Sequence, residues 1–485
     1  MQGLFRPVAS QALEPSLEVE VVKSPTYKES AMPTTLMSAQ AHALSDNLMF
    51  DFKKGPDLQP KAWRRPHSAN FHRMFKADLQ SADFVELALM PDAVITAELV
   101  AASASDRLDD FWALADIVRA SPSLAAYRER WQQAALDLQA LLPHERIAIG
   151  SSPLYRRWVH ATGCALIAGA PGDVVEPLLA SVANYMPGFM EMTSRGRVLM
   201  SYGGRIETWD CTCGIELPAT YGDGAWQCSR KGAWIHLRPL FAGGETLSSC
   251  LVAPDAVLPR SHIVVRNDLP GLRVSPGEAR EPEHDNTSRQ QETDARNHSY
   301  PRGRHRPIVE AAQALLSAWR EEYEDWRCMM RVVVPHLPSP GRPAEGFTIS
   351  SMQGAVWIHP STTLRTLESL VHEHSHVKLR YVEETVPLLQ PMQTNACFAV
   401  SSHTNPRPVA GICTGVYADL HCSIALVRYR QDPELDPAAR GQVATRLDEL
   451  RAQAGEGLDL LRQHARFTAA GQGFLRWAGF TLRDI

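Results

Sequence analysis

The sequence predicts an α+β protein with a helical N-terminal region, a β-rich middle, and a C-terminal metal domain carrying His-Glu-x-x-His on a core helix. Three observations predict this. Apolar residues recur at intervals of three and four across residues 76–192, short apolar runs punctuated by Gly and Asp fill residues 193–274, and a periodic helix near residue 372 holds the motif.

The N-terminal residues 1–75 are polar and broken by Pro7, Pro15, Pro25, Pro33, Pro56, Pro60 and Pro66, which predicts an extended or mobile arm. Within 76–192, the segments DDFWALADIVRA and YRERWQQAALDLQALL repeat apolar side chains at helical spacing, with prolines between the segments. Residues 193–274 include RVLMSY, AWIHLRPLF, SSCLVA and SHIVVR, short runs of strand character. Residues 275–307 hold almost no large apolar side chain and predict a flexible surface loop. The remainder, 308–485, predicts a helix around IVEAAQALLSAWREEYEDW and strands at CMMRVVVPHL and GAVWIHP. A long helix from about Thr362 and at least two further helices follow.

The 485 residues are 44% hydrophobic and 21% charged, the balance of an ordinary globular chain and enough for a large core. A net charge of -5 and the lack of a basic block argue against nucleic acid as a partner. No run of eighteen apolar residues occurs, and the first residues lack the basic stretch and apolar core of a secretory signal, so the expectation is a cytoplasmic protein without a membrane partner. The nine cysteines are odd in number and scattered, which reads as reduced thiols. Cys211, Cys213 and Cys228 lack the paired spacing of a structural zinc knuckle.

The chemistry concentrates in HPSTTLRTLESLVHEHSHVKLRYVEE, residues 359–384. Leu364, Leu367, Leu370, Val371, Val377 and Tyr381 keep helical spacing, Pro360 to Thr362 supply a start signal, and Pro387 bars continuation. Four residues advance a helix by about 400°, so His372 and His376 share one face and can reach one divalent ion. From composition, such a motif arises by chance about 0.07 times in a chain of this length, even with Asp allowed for Glu. His374 points the other way, between Leu370 and Val377, and reads as a hydrogen-bonded interior histidine.

The motif first suggests a zinc peptidase in which Glu373 activates metal-bound water. The metzincin continuation is absent, because Leu379 and Val382 stand where Gly and His would be needed. Glu383 and Glu384 follow His376 by only seven and eight residues, on what should be the same helix.

Three pieces, GAVWIHP, TLESLVHEHSHVKL and NPRPVAGICTGVYADLHCSIALVRY, resemble the HExxH-type α-ketoglutarate-dependent peptide β-hydroxylases, which act on ribosomally made peptides. The similarity is specific over residues 354–430 and looser from about 262 to 479. One departure is that Ser401, Ser402, His403, Thr404 and Asn405 replace the Pro-Trp-Arg cluster that the family tends to carry before its Pro-Arg-Pro element.

The resemblance implies an Fe(II) dioxygenase that uses α-ketoglutarate and O2 to hydroxylate a β-carbon in a precursor peptide. It implies three metal ligands: His372, His376 and a third, for which His421 is the expectation, with Asp419, Glu384 and His403 as alternatives. Arg407, held between Pro406 and Pro408, is the expected partner of the distal α-ketoglutarate carboxylate, with Arg428 as competitor. Glu373 then acts beside the metal, orienting a water or an imidazole rather than serving as general base. The rival readings are a zinc metallopeptidase and a peptide-binding scaffold without catalysis.

Overall fold

The computed structural model describes residues 81–186, residues 197–272 with short gaps, and residues 305–485 apart from 337–345, 392–395 and 402–404. The arm expected over 1–75 lies outside these residues, as does the expected loop over 275–307 apart from its last three.

The helical layer holds α1 (Ala82–Leu89), α2 (Ala93–Ala120), α3 (Arg128–Ala140), α4 (Pro143–Gly150), α5 (Pro153–Ile167) and α6 (Gly172–Ala180). Local chemistry sets the starts of these helices. Ser81, Asp92 and Ser152 cap α1, α2 and α5 by accepting backbone N–H bonds, and proline opens α4 and α5.

The β-rich middle gives β1 (Arg197–Tyr202), β2 (Arg205–Glu207), β3 (Gly214–Glu216), β4 (Gly224–Lys231), β5 (Trp234–Pro239) and β6 (Leu247–Ser249). These form one antiparallel sheet in the order β3-β2-β1-β4-β5-β6. The next strands, β7 (Ala256–Val257) and β8 (Val264–Val265), leave that sheet and join the C-terminal part.

The single helix expected around 308–326 is two, α7 (Arg306–Ala318) and α8 (Arg320–Met329), broken at Trp319. Trp319 leaves the helical region with φ -145° and ψ 78° and buries its indole against His421, ring centroids 5.8 Å apart. The break lets Ile308, Ala311 and Leu315 of one segment and Tyr323, Trp326 and Met329 of the other reach the same core. Cys328 and Met329, expected in a strand, close α8 instead.

A second sheet follows from β9 (Val332–Pro335), β10 (Gly346–Thr348) and β11 (Ala355–Ile358), in the order β10-β11-β9-β8-β7. Its centre is parallel, β8 with β9 and β9 with β11, while β10 and β7 run antiparallel at the edges. Burial on both faces explains why β9 and β11 read as unbroken apolar runs. The short Gly-Phe-Thr strand β10 offers no such run, and sequence patterning missed it.

The motif helix α9 (Thr363–Thr385) is capped by Thr362, whose side chain accepts from the Arg365 N–H. A two-stranded ribbon of β12 (Cys397–Phe398) and β13 (Arg407–Pro408) leads into α10 (Val409–Tyr429), followed by α11 (Pro437–His464) and α12 (Gly471–Asp484). Helix α10 is long and apolar enough to cross a membrane, yet 67% of its apolar window is buried inside the fold. Its apolarity is accounted for by packing against α9, α11 and α12.

The main core joins α7 to α12 with one face of the second sheet and also takes in Val85, Ala88, Leu89, Leu99 and Val100 of α1 and α2. The later part of α2 packs with α3 to α6 in a separate core around Phe111, Trp131 and Trp158. Helix α2 therefore bridges the helical layer and the motif domain.

Candidate metal centre

The amphipathic pattern of α9 sends Leu367, Leu370, Val371 and Val377 into the core and leaves His372 and His376 half-buried, one turn apart. Their Nε2 atoms lie 2.9 Å apart, with ring planes at 80°. Glu373 is buried at 4% exposure. One donor atom from each of His372, Glu373 and His376 can be chosen so that all lie within 4.8 Å of one another. Among the described residues this is the one group of three or more His, Cys, Asp or Glu that meets this criterion. Two imidazoles so close, with a carboxylate beside them, fit a divalent ion of the zinc or iron(II) type.

The edge strand β10 lies against this centre. A Cβ on Gly346 would stand 2.9 Å from Glu373 Cγ and 3.0 Å from both Glu373 Oε1 and the Trp357 carbonyl oxygen, so the close approach requires glycine. Gly346 pairs with Ile358, the last residue of β11, which brings the end of the parallel strands beside the motif.

Polar contacts tie α9 down along its length. Arg446 makes two hydrogen bonds to Glu368, at 2.8 and 2.6 Å. In the middle, Lys378 is fully buried and donates to Asp325 and to the Met90 carbonyl, each at 2.6 Å. Near the C-terminal end, Glu384 accepts from Ser103 and pairs with Arg107 at 3.4 Å and Arg156 at 3.9 Å. Breaking the fully buried Lys378–Asp325 pair by removing one partner would be strongly destabilising, so that contact in particular fixes the helix that presents the histidines.

His421 does not join His372 and His376. Its Nε2 contacts the Leu89 carbonyl oxygen at 3.1 Å, and its Nδ1 lies 3.5 Å from Glu322 on α8. His374 is buried, as expected of an interior histidine, with Nδ1 2.8 Å from the same Glu322 oxygen. Burial drives its imidazole toward the neutral form, with Glu322 opposing.

Of the alternative ligands, Glu384 is engaged as above, and His403 lies outside the described residues. Asp419 is buried, and burial pushes its carboxyl up to about 7, against the pull of Arg446 and with the nearby Glu368 adding to the rise. Arg407 is half-buried on β13, opposite Phe398, and leads into α10. Its competitor Arg428 stacks over Trp319 at 5.1 Å and pairs with Glu321 at 3.6 Å.

Sequence reading missed Gly346, Glu322, Asp325 and Lys378. For the two acids a signal exists: they share the helical face of Trp319 and Trp326, where a carboxylate needs a buried partner. Neither a protein-family model nor a curated protein matches the chain.

Proposed function

We propose that this chain is a metal-dependent enzyme acting on a ribosomally made precursor peptide, and that its reaction is Fe(II)- and α-ketoglutarate-dependent β-hydroxylation. The observation that supports the metal part is the convergence of His372, Glu373 and His376. The reaction class rests on the sequence resemblance over residues 354–430. In that reaction the peptide C–H, α-ketoglutarate and O2 give the alcohol, succinate and carbon dioxide. When bound, Fe(II) with its 2-oxo acid supplies the oxidation.

In this reading His372 and His376 hold the ion through neutral imidazole nitrogens. With His421 turned toward Glu322, Glu373 is the third protein donor near the pair, placed to accept a proton from a bound water or to orient an imidazole. Arg407 offers a guanidinium for the distal carboxylate of the cosubstrate.

A zinc peptidase is the second reading, favoured by the position of Glu373, where a general base would stand. Anaerobic addition of Fe(II) and α-ketoglutarate separates the two. A visible absorption band from the chelate, lost in His372→Ala, is expected of the hydroxylase. Peptide cleavage by the zinc form without α-ketoglutarate would overturn that reading in favour of the peptidase.

A further inference from the structure

We propose, on the reading that the motif centre acts on a peptide, that this peptide binds in extended form as an added strand on the outer edge of β10, where the backbone of Gly346 and Thr348 holds it beside His372 and His376. Backbone pairing in the second sheet identifies the groups that do this. The Ile358 carbonyl faces β9, accepting from the His336 N–H at 3.0 Å. Successive residues of a strand turn their backbone groups to opposite sides, so Trp357 faces β10 and bonds to its partner there, Phe347. Gly346 and Thr348 then point their N–H and C=O groups away from β11. β10 is the last strand of its sheet, and among the described residues nothing pairs with that outer side. Open edges are commonly guarded by a charge or a proline, and Gly-Phe-Thr, half-buried throughout, carries neither.

This edge borders the metal centre. A Cβ on Gly346 would stand 2.9 Å from Glu373 Cγ, so the face of β10 that carries Gly346 looks onto α9. Glu373 lies about 100° round the helix from His372, between the histidine side and the sheet. With β11 on the inner side of β10, a strand paired to the outer side, about 4.8 Å further out, runs over the half-open face of His372 and His376.

In such a pair directly opposed residues share a face, so the peptide residue opposite Gly346 sends its side chain toward the histidines. Its β-carbon, the first atom off the backbone, is held at a height set by main-chain hydrogen bonds rather than by the side chain beyond it. The substrate class that fits is an extended segment without proline at the paired positions, selected through its backbone.

The probe is a short linear peptide selected from a random library for binding to the full-length protein. Hydrogen exchange read residue by residue should show the Gly346 and Thr348 amides slowed at least about tenfold by saturating peptide, with Phe347, already bonded to Trp357, nearly unchanged. N-methylation along the peptide should weaken binding at alternate positions only. Thr348→Pro removes one outward N–H and leaves the bonds between β10 and β11. It should weaken the peptide at least about tenfold with metal content unchanged. A library that yields no peptide, or only peptides that leave both amides unprotected or bind Thr348→Pro as tightly as wild type, overturns the proposal. Protection of both amides before peptide is added overturns it too: if it depends on protein concentration a second copy holds the edge, and if not another segment of this chain does. Exchange and N-methylation are read on wild-type protein, so they decide even where Thr348→Pro fails to fold. None of these measurements uses iron, α-ketoglutarate or turnover, so an absent chelate band would sink the hydroxylase reading and leave this result standing.

Discussion

Gly346 and Glu373 touch across the gap between β10 and α9, with space for a hydrogen but not for a methyl group above the glutamate side chain. The edge strand therefore sets where the motif carboxylate can lie relative to His372 and His376. Gly346→Ala is expected to destabilise the fold by about 1–3 kcal/mol through overpacking. It should also displace the Glu373 carboxylate and lower turnover. Denaturant titration and a steady-state assay read the two effects separately. Unchanged stability and turnover together would show that β10 yields easily at this point.

His372→Ala and His376→Ala should each abolish metal binding at the motif, because each removes one of two imidazoles on the same ion. The far-ultraviolet spectrum should persist, since both side chains are half-buried and lie outside the main core. Metal analysis together with circular dichroism checks this. Binding of unchanged affinity at the motif in either variant would exclude the pair as ligands.

Glu373→Gln keeps the shape of the side chain but cannot accept a proton as a base. A peptidase should lose about two to four orders of magnitude in rate. The proposed hydroxylase should lose less, as long as the amide still orients its neighbour. Peptide mass and succinate measured in the same reaction distinguish the cases.

Arg407→Ala should raise the α-ketoglutarate requirement at least about tenfold, since a charge-assisted contact is worth roughly 1.5–3 kcal/mol. Metal affinity should be nearly unchanged. An unaltered cosubstrate titration would pass the role to another arginine.

Asp419 gives a pH signature. Burial, with Arg446 opposing and Glu368 reinforcing, raises its folded-state value from 3.8 to about 7, so the folded chain holds a proton that the unfolded chain has lost. The stabilisation from that proton is complete below the unfolded value and disappears as pH rises through the folded one. Asp419→Asn cannot ionise. Its stability relative to wild type should therefore increase between pH 4 and pH 7, by up to ~1.4 kcal/mol per pH unit. Denaturant midpoints at several pH values test this, and a parallel wild-type and variant profile would contradict it.

The sequence by itself determined the α+β class, the strands β9 and β11, and the placing of His372 and His376 on one face of a capped amphipathic helix. All of these follow from local periodicity and capping, which a linear pattern carries. Only the tertiary structure decided that the helix expected around 308–326 breaks at Trp319, because the break serves a core shared with His421 from a helix far along the chain. It likewise decided that His421 faces Glu322 rather than the motif histidines, that α1 and the start of α2 pack with the motif domain, and that β10 covers Glu373. A buried charge takes its partner from whichever helix packing brings near. That choice depends on contacts such as Lys378 with Met90, 288 residues apart, which no local pattern encodes.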